Sequence, residues 1–202
     1  MKPTWLELGT EIENKGQTPP WFKQVHGATA LNLDGRTLQT PAPEADAGYT
    51  RDRAKTLYVF TADCLPVLLF GQTPDCPVAA IHAGWRGALA GVVDHTLREW
   101  GYARAKTRAW LGPSIGACCF EVKQDFIDAF EKAKRPIRPY LENRGGKTFC
   151  DLVRFVVKEE LHGVESVDTQ SHRCTVCSEP RLPSYRRNGK ADPMIRSWIR
   201  KA

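Results

Sequence analysis

Leu57-Tyr58-Val59-Phe60-Thr61-Ala62-Asp63-Cys64-Leu65-Pro66-Val67-Leu68-Leu69-Phe70, followed by Pro77-Val78-Ala79-Ala80-Ile81-His82-Ala83-Gly84-Trp85-Arg86-Gly87, decides the fold class. Three apolar runs, 57–60, 66–70 and 77–81, are rich in aromatic and β-branched residues and short enough for strands. Thr107-Arg108-Ala109-Trp110-Leu111 reads as a fourth. Apolar residues at 89, 92, 93, 97 and 100 recur at helical spacing, so a helix is expected over 89–100. A second helix is expected over 125–134 with Phe126, Ile127 and Phe130 inward. A third, over 152–161, would be capped by Asp151 and closed by Gly163. Strands and helices mix without strict alternation, which points to an α/β (α+β) class with mixed sheets flanked by helices.

Outward from this centre the chain is less regular. Residues 1–22 are polar, with Gly16 and Pro19-Pro20 marking a loop, and residues 34–55 read as a long polar excursion. No internal repeat or low-complexity linker divides the 202 residues, so one domain over 1–202 is expected. A chain of this length buries roughly 70% of its unfolded surface and needs no disulfide or metal merely to fold. A bound metal would therefore be expected to serve chemistry.

Composition narrows the function classes. With 42% hydrophobic and 26% charged residues the chain is ordinary for a globular protein, and no stretch approaches a membrane span. Met1-Lys2-Pro3-Thr4-Trp5 lacks the apolar core of a signal peptide, and seven cysteines without framework spacing read as reduced thiols. A cytoplasmic location is the expectation. Residues 173–202 hold eight Lys/Arg against Glu179 and Asp192, which accounts for the whole formal charge of +6. Such an end could suit an anionic substrate or nucleic acid, although the plainer reading is a solvated basic tail. No nucleic-acid-binding motif accompanies the charge.

Reactive side chains fall next to strand ends and glycines. His26 precedes Gly27, Cys64 follows Asp63 between two apolar strands, and His82 ends a strand before Gly84-Trp85-Arg86-Gly87. A carboxylate carried into an apolar run must be hydrogen-bonded to persist there. The glycine turn after His82, opening a helix beside Arg86, reads as an anion site. Two imidazoles and a thiolate with a fourth position open have the stoichiometry of catalytic zinc. A cysteine nucleophile with His82 as base needs no metal, and spacing leaves both open. Cys174-Thr175-Val176-Cys177, near His172, has the spacing of half a zinc knuckle, with no second such pair to complete it. Cys118 and Cys119 would point to opposite sides of an extended segment, which sends one of them to the core. Ser114 lacks a nucleophile-elbow context and is read as structural.

Five segments stand in the order of a known family: Gln24-Val25-His26-Gly27, Thr61 to Leu69, His82 to Gly87, Leu111 to Val122, and Ser184-Tyr185-Arg186-Arg187. Over about 22–187 the chain resembles the YfiH family, also called multicopper polyphenol oxidase or laccase-like, whose members are described as purine nucleoside phosphorylases. The resemblance implies a fold related to the catalytic domain of Rho-deamidating toxins, which use a Cys–His pair. It implies a zinc site on His26, Cys64 and His82. It also implies phosphorolysis of adenosine, inosine and methylthioadenosine, with adenosine deamination. Phosphate would fall to Arg86 or to Arg186 and Arg187.

Copper has been proposed in the family, but five histidines (26, 82, 95, 162, 172) are too few for a multicopper oxidase. Two departures bear on the pocket. Only 23 residues precede Gln24, without the family's Arg-Gly-Gly stretch, and Lys190-Ala191-Asp192 stands where the family has Gly-Arg. The expectation is therefore a YfiH-like domain with a shortened N-terminus and a rebuilt pocket. Alternatives are a metal-independent Cys–His hydrolase or amidase acting on an anionic cell-wall (peptidoglycan) precursor, and a catalytically reduced metal-binding paralogue.

Overall fold

The central hairpin explains the continuous apolar runs. In the computed structural model, which describes residues 3–202, β5 (Leu65–Phe70) pairs antiparallel with β6 (Val78–Ala83), and both are buried throughout. Side-chain alternation splits them between two cores. Leu65, Val67, Leu69, Ala79 and Ile81 face one, whereas Leu68, Phe70, Val78 and Ala80 face the other. A strand covered on both faces reads as uninterrupted hydrophobicity.

In chain order the strands before this hairpin are β1 (Leu6–Glu13), β2 (Ala30–Asn32), β3 (Ala47–Thr50) and β4 (Leu57–Thr61). After it come α1 (Trp85–Leu89), α2 (Val92–Glu99), β7 (Arg108–Leu111), β8 (Glu121–Val122), α3 (Gln124–Lys132), β9 (Leu141–Arg144) and β10 (Lys147–Cys150). The chain ends with α4 (Leu152–Phe155), β11 (Ser166–Asp168), α5 (Tyr185–Asn188) and β12 (Met194–Lys201). The six-stranded sheet has the order β11-β7-β5-β6-β3-β2, parallel at both outer pairs and antiparallel inside. Helices α2, α3 and α4 cover one face through Val93, Phe126, Phe130 and Phe155. The antiparallel sheet β1-β12-β4 covers the other through Leu6, Leu57, Val59 and Ile199. A small sheet, β8-β10-β9, completes the mixed α/β architecture.

Several sequence expectations are corrected. The helix expected over 89–100 is two helices, because Gly91 adopts the left-handed φ of 78° between them. The helix expected over 152–161 is helical, and Asp151 caps it by accepting from Arg154 N, but it loosens into a π-helix over Val156–Glu160. Glu160 is thereby buried, and its Oε2 accepts from Val93 N at the start of α2.

The basic end is not a solvated tail, since β12 lies between β1 and β4. Arg200 pairs with Glu7, and Arg196 with Glu11 and Glu13, across β1. Residues 6–13, within the polar stretch before the Gly16 and Pro19-Pro20 loop, form that partner strand. Within the polar excursion lies β3, fully buried. Its Gly48 is forced, because a Cβ there would meet Leu33 Cδ1 at 2.8 Å and Phe22 Cε1 at 2.9 Å. No helix among the described residues is long and apolar enough to cross a membrane.

Candidate metal and substrate site

His82 is the penultimate residue of β6 and alternation turns it away from the helical core, onto the side facing β4. Cys64 ends the short turn that joins β4 to β5. Asp63 holds that turn in the left-handed region at φ 98°. Backbone strain of this kind persists only where the surroundings fix it. Here Thr175 Oγ1 donates to one Asp63 oxygen at 2.5 Å and Arg186 N to the other at 2.6 Å. The carboxylate inside the apolar run is therefore bonded.

His26 arrives from a separate loop. Gln24 clips that loop to the edge of β4, its amide nitrogen donating to Phe60 O at 2.7 Å and its amide oxygen accepting from Phe60 N at 2.8 Å. The chain then runs beside residues 43–45, Lys23 N donating to Pro43 O and Ala45 N to Lys23 O. This lays His26 against Asp46.

Nothing in the sequence singles out Asp46, yet it organises the site. Its fully buried carboxylate accepts from His26 N at 2.8 Å and Gly27 N at 2.6 Å, and from Val25 N at 3.3 Å. These bonds hold His26 at φ 63°. The same carboxylate lies 2.8 Å from His82 Nδ1, so Nε2 is the nitrogen left for the site. One side chain thus orients the His82 imidazole and holds the backbone that carries His26. Its only trace in the sequence is an acid set among small residues, Ala45-Asp46-Ala47-Gly48.

The three reactive residues expected together are together. One ligand atom each of His26, Cys64 and His82 lies within 4.8 Å of the others, and the imidazole rings are 4.8 Å apart, edge to face. Gly84 keeps the space between them open: a Cβ there would stand 2.9 Å from Cys64 Sγ and 3.0 Å from His26 Cδ2.

Electrostatics reinforce the geometry. Burial raises the Cys64 thiol, but the His82 charge and the hydrogen bonds of His26 and His82 outweigh it and bring it down to about 6. Burial lowers His82, but the Cys64 thiolate and Asp46 outweigh it and raise it to about 9. Burial likewise opposes the Asp46 charge, and its bonds to His82, Gly27 and His26 hold it below the usual carboxylate range. A soft thiolate and two imidazoles, one oriented by a carboxylate, fit zinc and leave one tetrahedral position open.

These residues form part of the wall of a cavity of about 780 Å³, with Phe60, Trp85, Phe120 and Tyr185 among its aromatic lining. Arg186 lines it as well. Arg86 is not in the lining, its guanidinium stacking on Trp85 at 4.3 Å, and α1 is only five residues long. Arg187 is also outside the lining and donates to the carbonyls of Thr175, Val176 and Leu182, which ties the chain there together. Lys15, Gly16 and Thr18, beyond the end of β1, form another part of the wall. That part of the wall carries no local sequence signal, because its residues lie in an otherwise ordinary polar loop.

The family described as multi-copper polyphenol oxidoreductase laccase matches residues 7–197, and the chain belongs to it. A relative from Escherichia coli K12, named purine nucleoside phosphorylase YfiH, is 35% identical over 176 residues, covering 87% of this chain and 71% of its own. One from Haemophilus influenzae, named purine nucleoside phosphorylase, is 36% identical over 188 residues, covering 88% and 72%. The crystal structure of Neisseria meningitidis protein NMB0706 superposes with a TM-score of 0.81 at 29% identity, over 98% of this chain and 95% of that one. YlmD from Geobacillus stearothermophilus has the same fold, with a TM-score of 0.81 at 21% identity, over 98% and 92%.

Proposed function

We propose that this member of the laccase-like family is a zinc-dependent purine nucleoside phosphorylase acting on adenosine, inosine and methylthioadenosine, with adenosine deamination as a further activity. The observation that carries the reading is the convergence of His26, Cys64 and His82 on the wall of an aromatic cavity that also holds Arg186. The names of the relatives support the reaction class. A zinc ion held by the three side chains would polarise an oxygen at its open position.

The protein's own groups do the rest. Phosphorolysis asks for a gripped base, a held phosphate and a stabilised leaving purine. The aromatic walls offer faces on which a purine stacks. Arg186 is the cation for phosphate: its guanidinium leans over Phe120 and donates to Glu121 O at 3.2 Å, which sets its position at the wall. Asp46 fixes the His82 imidazole and the backbone of His26, and exchanges nothing with substrate. Zinc suits the donor set better than several coppers: among the remaining histidines, His95 Nδ1 bonds Ala28 O and His172 Nε2 bonds Ser114 Oγ. Seven free cysteines accord with a cytoplasmic location.

The test is phosphate-dependent release of base from each nucleoside by zinc-loaded protein. Turnover lost in Cys64→Ala supports the proposal. Full turnover in that variant, or none in the loaded wild type, overturns it. One observation favours a second reading. Cys64, His82 and Asp46 are also arranged as nucleophile, base and orienting carboxylate, which is the equipment of a metal-independent hydrolase. An anionic cell-wall precursor would be its substrate. Activity that survives thorough chelation and is lost on alkylation of Cys64 would select it.

A further inference from the structure

Cys118 and Cys119 do not lie in an extended segment; residues 117–119 form a turn, so both side chains can point the same way. A short bridge between Ser114 and Cys174 brings that turn against the Cys174-Thr175-Val176-Cys177 loop. Ser114 N donates to Arg173 O and Thr175 N to Ser114 O, which fixes the register of the two loops. The missing second pair of the half zinc knuckle is therefore Cys118-Cys119, distant in sequence and adjacent in space.

We propose that Cys118, Cys119, Cys174 and Cys177 form a second metal site, a four-thiolate centre for zinc or a similarly thiophilic divalent ion. Their four sulfurs lie within 4.8 Å of one another, and Cys118 Sγ stands 3.4 Å from Cys177 Sγ. Metal–sulfur bonds of roughly 2.3 Å in a tetrahedron give sulfur–sulfur edges of about 3.8 Å, so small side-chain rotations close the cage. Gly116 leaves the room for it, since a Cβ there would stand 3.2 Å from Cys174 Cβ and 3.3 Å from Cys118 Sγ. Its amide also points at Cys174 Sγ, 3.4 Å away, as a donor to a thiolate does.

Arg187 and Arg144 brace the loops from outside, donating to Thr175 O, Val176 O and Ala117 O. The cluster lies at the surface, with Cys118 and Cys177 exposed and Cys119 and Cys174 half-buried. Its four donors are all sulfur, which fills a tetrahedron without water or substrate and is the pattern of a structural centre rather than a catalytic one. Its place gives it a task. Thr175 bonds Asp63, next to Cys64, and Arg186 donates to Cys119 O at 3.5 Å. The centre ties together the two loops that brace the cavity wall.

The test uses metal-stripped full-length protein titrated with cobalt(II). The proposal expects intense thiolate-to-cobalt charge-transfer absorption that persists in Cys64→Ala and disappears in the Cys174→Ser/Cys177→Ser double variant. As a check that does not depend on that variant folding, iodoacetamide labelling of the stripped wild type is mapped by mass spectrometry with and without zinc. Joint protection of Cys118, Cys119, Cys174 and Cys177 by zinc supports the site. Unchanged labelling of these four, or a Cys118–Cys177 disulfide that forms instead in the presence of zinc, overturns it.

Discussion

Replacing Asp46 by Asn isolates the part the carboxylate plays while conserving shape. One Asp46 oxygen serves His26 N and His82 Nδ1, and the other serves Gly27 N and Val25 N. An amide has a single acceptor oxygen, so one of these two sides must face NH₂. If the NH₂ meets Gly27 and Val25, two backbone donors lose their charged acceptor. If it meets His82, that ring must present Nδ1 as acceptor, which places its proton on Nε2, where the site needs a lone pair.

A bond to a charged group contributes roughly 1.5–3 kcal/mol, so losing two costs about 3–6 kcal/mol, less whatever relaxation recovers. At the lower figure, Tm should fall by roughly 6–12 °C for a chain of this size. Zinc affinity should fall about 10- to 100-fold, the usual effect of removing a partner that orients a metal-bound histidine. Urea unfolding of stripped protein gives the first quantity, and competition with a chromophoric zinc chelator the second. Wild-type zinc affinity in a folded Asp46→Asn variant would refute the claim that this carboxylate sets the His82 ring and the His26 backbone.

Three further outcomes follow from the same geometry. Gly84→Ala, whose backbone φ of −65° suits any residue, should fold normally and lose zinc affinity at least about tenfold, because its Cβ enters the space between Cys64 and His26; unchanged competition with a chelator contradicts this. Arg186→Ala should raise the phosphate KM by about tenfold or more with a smaller change in kcat, since one charge-assisted bond is removed; an unchanged phosphate KM assigns phosphate elsewhere.

Glu160 is pushed up to about 7, because burial outweighs Arg135 and the amides of Val93 and Asp94. The unfolded chain gives up that proton first, so the stability this shift confers is present at acid pH and lost as pH rises from about 4.5 to 7, by roughly 3 kcal/mol. Stability curves of Glu160→Gln and wild type should diverge across that window, and parallel curves contradict the assignment.

What the sequence made legible follows from how locally each feature is specified. β5 and β6 announce themselves because burial on both faces demands continuous apolar side chains. His26, Cys64 and His82 stand out because reactive groups beside glycines and strand ends have few structural uses. β3 was hidden by the smallness its packing requires, with Gly48 standing where two side chains leave no room for a Cβ. β1 and β12 are hidden by alternating charges that read as a polar stretch and a basic tail until the two strands pair them. Asp46 was hidden because its four donors come from two segments far from it in sequence. The four-cysteine cluster escaped for the same reason, as two half-motifs more than fifty residues apart meet through a two-residue bridge.

The central claim is that His26, Cys64 and His82 hold a metal on which turnover depends. Its most direct test is elemental analysis of wild type and Cys64→Ala, purified side by side without added metal, with nucleoside phosphorolysis measured on the same samples. The account predicts one zinc fewer per chain in the variant and no turnover, at unchanged fold by circular dichroism. Equal metal content in the two proteins, or equal turnover, would contradict it.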